Sequence, residues 1–593
     1  MLRTDRVSGI SDFSGGLNTK VKELNGMSIK HTPDCMDVYA DLDGSLHKRN
    51  GRTKLNSTQA GAGSKDGHGL FDWEGTLIGS FGTTYYKMDE MDGTWDSLQE
   101  NMSDETIQCE NYQGNLFICN WGGDYIKTMQ TGGTSLTNLN TSNVGGRGKH
   151  PKVYKDHFIV SGVPGYPYTF YYAESADIDD FANGGTWPIN THDGDELTGW
   201  MELEGRLYAS KRWSIHQATY RGGSPYWAVQ QRAWAGTRSP LTMKNVILKS
   251  GEEVLMFLGS DRKLYQFDGS NCNAVSAAFE ESNEICPIAM DTLNQGGLVY
   301  AHAIVDSVNH WYVVFVPNGG TSTITHALAY NYYTGAVWPF SGQVLKSSAS
   351  AVDSNGRKWV IVAGYDGYAY RWNYGNTDWG AISTVASAPT AGGTGYTTGD
   401  VLTVVGDSGM GGTVSVVASS GIVTAVTLVK AGVGYATGTG QATVGGTGSG
   451  CTISITAVTT ATVSAYHTTP RMFIDNSAVL KEQRQVIVNM KAISDDTVSF
   501  CHREDYTSAW SSAVTVPLGN SSGEYYLGTT RRGLVLGTGT LGPAKPVIEK
   551  TIGLDTQSNY IQFKISDSLT TNPWTLYSYN LVGTQIAITK GEK

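Results

Sequence analysis

Between residues 65 and 380 one pattern returns every few tens of residues: a short apolar strand, a Gly or Asp turn, then a strand with alternating aromatics. "LIGSFGTTYYKMD" (77–89), "LFICNWGGDYIKTM" (116–129), "VLMFLGSDRKLYQFDG" (254–269) and "WVIVAGYDGYAYRWN" (359–373) carry it. "GRLYASKRWSIHQATY" (205–220) and "HWYVVFVPNGGTSTITHALAYNYYTGAVW" (310–338) lie between them. Alternation puts every second side chain on one face, which is the period of a half-buried strand. A sheet this small cannot bury its inner face alone. Neighbouring sheets must cover it, and radial stacking into a β-propeller is the usual solution. The pattern predicts an irregular propeller of six or seven blades over 61–386, with one or two large β-sandwiches as the alternative.

Composition supports an all-β chain. Glycine supplies 73 of 593 residues and charged residues only 16%. β-Branched and aromatic residues are plentiful where a helical protein would carry Leu, Glu, Lys and Ala. Residues 1–60 read as an extended N-terminal arm, with one short helix expected at "TPDCMDVY" (32–39). There Thr32 is placed to cap, Pro33 to begin the helix, and Asp34 and Asp37 to meet its positive end.

Residues 387–463 change character. Seventeen of the 72 residues in 387–458 are Gly, and only Asp400, Asp407 and Lys430 are charged. The sole aromatics there, Tyr396 and Tyr435, stand 39 apart. At that offset "GYTTGDVLTVVG" meets "GYATGTGQATVG", and "TVSVV" (413–417) meets "TISIT" (452–456). This predicts a tandem pair of small β units, with Gly supplying the positive-φ turns. The two tyrosines either close turns in the core or stack on sugars. Beyond them, "RQVIVNMKA", "DTVSFCHRE", "YIQFKISDS" and "WTLYSYNLVGTQIAI" predict a C-terminal β-sandwich or jelly roll over 464–593.

Net charge is −11, which argues against a broad basic face that grips nucleic acid. The seven cysteines form no CxxC pair and read as free thiols made in a reducing compartment. The first residues, "MLRTDRVSGI", show no secretion signal, and no run of about 18 apolar residues suggests a spanning helix.

Two catalytic motifs are missing: the sequence has no GxxxxGK[ST] and no HExxH. "THDGDELTG" (191–199) groups Asp193, Asp195 and Glu196, but Leu197 takes the next slot a calcium loop would fill, so a solvated turn is expected. "DYTSAW" (505–510) is similar to the structural Asp-x-Gly-x-x-Trp turn of sialidase-type propellers, with Thr507 in place of Gly. "DIDDF" (177–181) and "GEEVL" (251–255) supply carboxylates but fix no pair at a glycosidase separation. "SLHKRNGRTK" (45–54) carries Lys48, Arg49, Arg52 and Lys54 without an acid, and reads as a contact with a partner or neighbouring subunit, or as a solvated loop.

"FSGGLNTK" (13–20), "PDCMDVY" (33–39) and "DGSLHKRNG" (43–51) resemble the N-terminus of the tail nozzle proteins of short-tailed bacteriophages, also called tail-hub or tail tubular B proteins. Phe13, Gly15, Gly16, Leu17, Asn18, Thr19, Gly44, Ser45, Leu46, Lys48, Arg49 and Gly51 carry the match, while Tyr39 departs from it. "YYAESADIDDFANGGTWPIN" (171–190), "LTGWMELEGRLYASKRWSIHQ" (197–217), "LAYNYYTGAVWPF" (328–340) and "YIQFKISDSLTTNPWTLYSYNL" (560–581) continue it in order.

The resemblance implies a structural virion protein without cofactor or catalysis. It would form a hexameric ring in the virion tail, assembled in the host cytoplasm below a portal and adaptor. Tail fibres or spikes would attach at its side, double-stranded DNA would pass through its lumen, and its distal tip would reach the host surface. Phe13, Leu17 and Leu46 would then anchor an assembly arm, Gly15 and Gly16 would allow close approach, Asn18 would lie at the same interface, and Lys48 and Arg49 would pair with acids on a neighbour. DNA carries one negative charge per about 1.7 Å, so the lumen is expected to be acidic or polar. The alternative is a phage-associated glycan-binding or glycan-hydrolysing propeller.

Overall fold

The computed structural model describes residues 6–20, 27–61, 64–139, 144–175, 177, 180–283, 285–286, 288–405, 409–474, 480–491, 496–505, 507–518, 535–536, 539–540, 547–567 and 572–585. Ile178, Asp179, Asp407 and Tyr506, which belong to stretches singled out above, lie outside these residues. Strands dominate throughout, and the helical elements among the described residues are short 3₁₀ turns.

Seven four-stranded antiparallel sheets follow one another along the chain. Six are continuous, at 67–99, 107–138, 150–188, 197–233, 244–274 and 302–340. The seventh joins three strands of 345–372 to Arg52–Lys54. The first strand of each sheet touches the first strand of a neighbouring sheet, and Leu345–Val352 lies against Gly67–Trp73 to close the circle. This is a seven-bladed β-propeller. Its ring is fastened by a strand from the N-terminal segment, through the pairs Tyr370↔Lys54, Arg371↔Thr53 and Trp372↔Arg52. That strand ties the first and last blades without a covalent crosslink.

The repeating turns explain the repeating blades. In the first, second and fourth, the first hairpin closes through Glu74-Gly75, Gln113-Gly114 and Glu204-Gly205, all at positive φ. Two successive left-handed residues make the turn whose twist matches antiparallel strands, and Gly adopts the second position without a Cβ penalty.

The N-terminal segment is not a projecting arm. Arg6–Ile10, Val38–Ala40 and Leu46–Lys48 join a six-stranded sheet with Lys481–Lys491, Val547–Ser558 and Thr575–Gln585. Asp34–Met36 joins a five-stranded sheet with Ala465–Thr468, Thr497–Glu504, Val514–Pro517 and Ile561–Asp567. The rings of Phe563 and Tyr579, one from each sheet, lie 6.0 Å apart. Residues 464–593 therefore do not form a unit by themselves; four strands from the first 48 residues complete their sheets.

The helix expected at 32–39 does not form. Asp37 takes φ 59°, which breaks a right-handed helix and divides the segment into two strands. Its neighbours are held by distant pairing, Asp34↔Thr468 and Val38↔Lys48, so tertiary pairing overrides the local capping pattern.

The Gly-rich insertion is a folded body that begins earlier than its composition suggests. Thr377–Val385 pairs with Ser449–Thr462, enclosing the strands between them. A core of Leu402, Val414, Val416, Val426, Ile453 and Ile455 surrounds both tyrosines. The repeats interlock rather than stand side by side: Gly392 pairs with Cys451, and 39 residues on, Ala431 pairs with Gly412.

Candidate functional site

The assembly candidates named from the sequence are buried inside their own chain, except Gly15, which is partly exposed. Phe13, Leu17 and Leu46 belong to the main core, and Asn18 is buried beside them. The Phe13 ring stands edge-on to His467 at 5.3 Å and to Tyr579 at 6.0 Å, between the two sheets that meet there. A Cβ on Gly15 would fall 2.7 Å from the His31 ring, and one on Gly16 would fall 2.8 Å from Ala336 and from the Val337 nitrogen. The close approaches expected at these two glycines are real, but they are made within one chain.

The basic run is also internal. Lys48 and Arg49 are 1% and 4% exposed. Lys48 Nζ meets Asp567 Oδ2 at 2.6 Å, and both side chains are buried. Arg49 donates from Nε to Asp37 and from Nη2 to Asp378 Oδ2 at 2.6 Å. Arg52 donates to the Gly342 carbonyl at 2.9 Å and lies 3.7 Å from Asp378 Oδ1. The Lys54 ammonium sits over Tyr368 at 3.3 Å and Trp379 at 3.6 Å. The acids that neutralise this run lie 12 residues upstream of Arg49, at Asp37, and hundreds of residues downstream, at Asp378 and Asp567, so neither a cross-subunit contact nor a solvated loop describes it.

The result is a buried ionic junction at which three parts of the molecule meet. Arg49 and Asp37 come from the N-terminal segment, the Ser341 amide that bonds Asp37 at 3.0 Å follows the sixth blade, and Asp378 opens the insertion. Two guanidinium groups face two carboxylates, so the charge closes locally. Burial raises Asp37 above the usual carboxylate range although Arg49 opposes it. Burial also acts on Asp378, but Arg49 and Arg52 together outweigh it and hold Asp378 below that range. Gly51 lets the strands close here, since a Cβ would fall 2.0 Å from the Thr377 carbonyl oxygen.

The carboxylates of "THDGDELTG" are each taken by a neighbour. Asp193 binds the buried Lys211 ammonium at 2.7 Å, Asp195 accepts the Trp213 amide at 3.0 Å, and Glu196 pairs with Arg212. Burial opposes Asp193 ionisation, but Lys211 outweighs it and holds the carboxyl below its usual range. These bonds, with the Thr237 amide donating to the Lys211 carbonyl at 3.0 Å, fix a ledge on the fourth blade. It leaves Trp213 53% and Trp234 87% exposed. Glu196 also borders a cavity of about 370 Å³ together with Trp121, His150 and Arg238. Sequence reasoning missed this ledge because the two tryptophans stand 21 residues apart in a pattern otherwise built of core aromatics.

Among the described residues, Asp41, Asp43 and His47 alone gather ligand atoms closely enough for a metal ion, within 4.8 Å of one another. The imidazole Nε2 already meets Asp41 at 3.0 Å and the Ser45 hydroxyl at 2.8 Å. All seven cysteines are free, and burial pushes the thiols of Cys272 and Cys286 up to about 12.

Tyr396 and Tyr435 are core residues, which removes the sugar-stacking reading. The Tyr435 hydroxyl donates to the Val404 carbonyl at 2.8 Å and accepts the Gly412 amide at 3.0 Å. The Tyr396 hydroxyl accepts the Cys451 amide at 3.3 Å, and Cys451 is 39 residues beyond Gly412. Each repeat's tyrosine therefore closes the partner repeat's strand. Gly409 and Gly448, also 39 apart, make room for the rings, since added Cβ atoms would fall 2.3 Å from Tyr435 and 2.6 Å from Tyr396.

No family model matches the chain, and no curated protein matches it. Similar solved structures include virginiamycin B lyase from Staphylococcus aureus, at 7% identity and TM-score 0.37 over 54% of this chain and 97% of that one. The Pan2 WD40 domain of Neurospora crassa matches at 11% identity and TM-score 0.35 over 54% and 94%. The N-terminal domain of Nup159 matches at 9% identity and TM-score 0.32 over 56% and 96%.

Proposed function

We propose that this chain is a structural wall segment of a ring-shaped tail nozzle in a short-tailed bacteriophage, placed below the portal and adaptor. In this role it acts as conduit and gate for double-stranded DNA and as support for tail fibres. One observation carries the reading. Three stretches that carry the resemblance, 13–19, 44–51 and the described residues of 560–581, pack into one body although the last lies about 500 residues from the first two. Phe13 touches Tyr579, Lys48 meets Asp567, and Leu46 pairs with Leu576. A shared signature spread over three segments is what one conserved packing unit would leave in a sequence. On this reading the signature keeps each subunit rigid, and assembly surfaces lie elsewhere, with exposed Trp234 and Val308 as candidates.

The role needs no catalytic step. Six copies would multiply the formal charge of −11, so a lumen without excess Lys and Arg lets phosphate pass without tight contact. The test is negative-stain imaging with light scattering of the purified chain, alone and with its adaptor. Rings with a central channel support the reading, and a monomer under both conditions overturns it.

A second reading, a glycan-binding propeller, draws on the Trp213 and Trp234 ledge beside the cavity at Glu196 and Arg238. Exposed indole faces suit sugar rings, and the adjacent acid and guanidinium suit hydroxyls. Binding to a host polysaccharide that is lost in Trp234→Ala would favour it over the nozzle.

A further inference from the structure

The centre of the propeller holds a cavity of about 370 Å³ to which all seven first strands or their lead-in residues contribute. Small-ligand sites commonly start at about 300 Å³. Its wall is mixed: Leu70, Phe71, Ile107 and Trp200 give it an apolar side, and His68, Gln108, Ser347 and Ser348 a polar one. Its charged groups are few. Lys152 is neutralised by Glu110 at 3.2 Å. His302 is held neutral, because Nδ1 meets the Ser348 hydroxyl at 2.8 Å, Nε2 meets the Leu345 carbonyl at 3.3 Å, and burial lowers its pKa to about 3. Lys244 is different. It also lines this cavity, and its ammonium makes no hydrogen bond or ion pair among the described residues.

An ammonium at an enclosed centre without a counter-charge is a standing cost. It is relieved by an anion that brings its own apolar surface. The count of charges limits that anion. One unpaired cation matches one negative charge, and the adjoining cavity, which shares Lys152, Trp200 and Met243, carries Glu202, Glu204 and Glu253. Those three acids repel a polyanion.

We propose that the propeller centre binds a small monocarboxylate with an apolar body, its carboxylate on Lys244 and its body against Phe71, Ile107 and Trp200. The site lies within one chain and stands whether or not the chain forms rings.

The test is isothermal titration and thermal shift of the 593-residue chain with benzoate as probe, and with acetate, citrate and inorganic phosphate as comparisons. Benzoate is expected to bind and raise the melting temperature, acetate to bind more weakly, and citrate and phosphate not to bind. Lys244→Met is expected to weaken benzoate by about tenfold or more. Without ligand, that variant should melt no lower than the parent, since it removes an unpaired, half-buried charge. Lys244→Arg, which keeps the charge, should retain binding and serves if the Met variant fails to fold. Absence of benzoate binding, equal binding by Lys244→Met, or preference for citrate or phosphate would each overturn the proposal.

Discussion

Replacing Arg49 by Met is the sharpest probe of the buried junction. The substitution keeps the aliphatic stem and removes a guanidinium that serves Asp37, Asp378, and the carbonyls of Asn50 and Ser341. Arg52, at 3.7 Å from Asp378, is then the nearest cation left for two buried carboxylates, with Lys48 acting from farther away. Breaking a buried pair from one side costs about 3–5 kcal/mol, because the remaining charge is stranded. The loss should be local first. Hydrogen exchange should rise at the Arg49 and Ser341 amides, which bond the Asp37 carbonyl and carboxylate, before the distant blades respond.

The pH dependence has a definite sign. Without Arg49 both carboxyls lose their nearest cation while staying buried, so their folded pKa values rise above the unfolded ones. Such groups contribute stability that is present at low pH and lost as pH rises through the folded values. The variant should therefore lose more against the parent at pH 8 than at pH 5. Adding Asp378→Asn should restore part of the loss, with a coupling of about 1–3 kcal/mol in the cycle. A change under about 0.5 kcal/mol in denaturant melts, or additive single and double variants, would refute the account, since surface substitutions behave that way.

Tyr435→Phe should destabilise the insertion by about 1–3 kcal/mol, because the Val404 carbonyl and Gly412 amide lose a buried partner. Tyr396→Phe, which loses one longer bond, should cost less; differential scanning calorimetry reads both. Gly51→Ala should lower the melting temperature more than Gly75→Ala, because its Cβ collides with Thr377 backbone while Gly75 has open space. Burial lowers the pKa of His150, His302 and His467 to about 3, so the unfolded chain takes up protons first and stability should fall as pH drops from about 6.5 towards 3. Urea melts across that range check it.

Much of the propeller was legible because each blade repeats one signal: a short apolar strand such as Val254–Leu258, a turn residue able to take positive φ, then a strand with alternating aromatics. The tandem insertion was legible from Gly and Tyr spacing for the same reason. Its interlocking was not, because a residue offset cannot say which copy's strand completes which sheet. The N-terminal segment misled most. Arg52–Lys54 and Leu46–Lys48 are three residues long, below the length at which alternation has meaning. Lys48 and Arg49 read as partners for acids on a neighbouring subunit because Asp567 and Asp378, which make their burial tolerable, lie 519 and 329 residues away. The exposed Trp234 carried no sequence mark that separates it from the buried Trp227 beside it.

The nozzle account rests on copy number and shape. Its most direct measurement is the mass and symmetry of the purified chain, by multi-angle light scattering followed by negative-stain imaging with adaptor. The account predicts a closed ring of six subunits around an open lumen. A stable monomer that never closes with its adaptor, or one whose measurable activity is on carbohydrate, would contradict it.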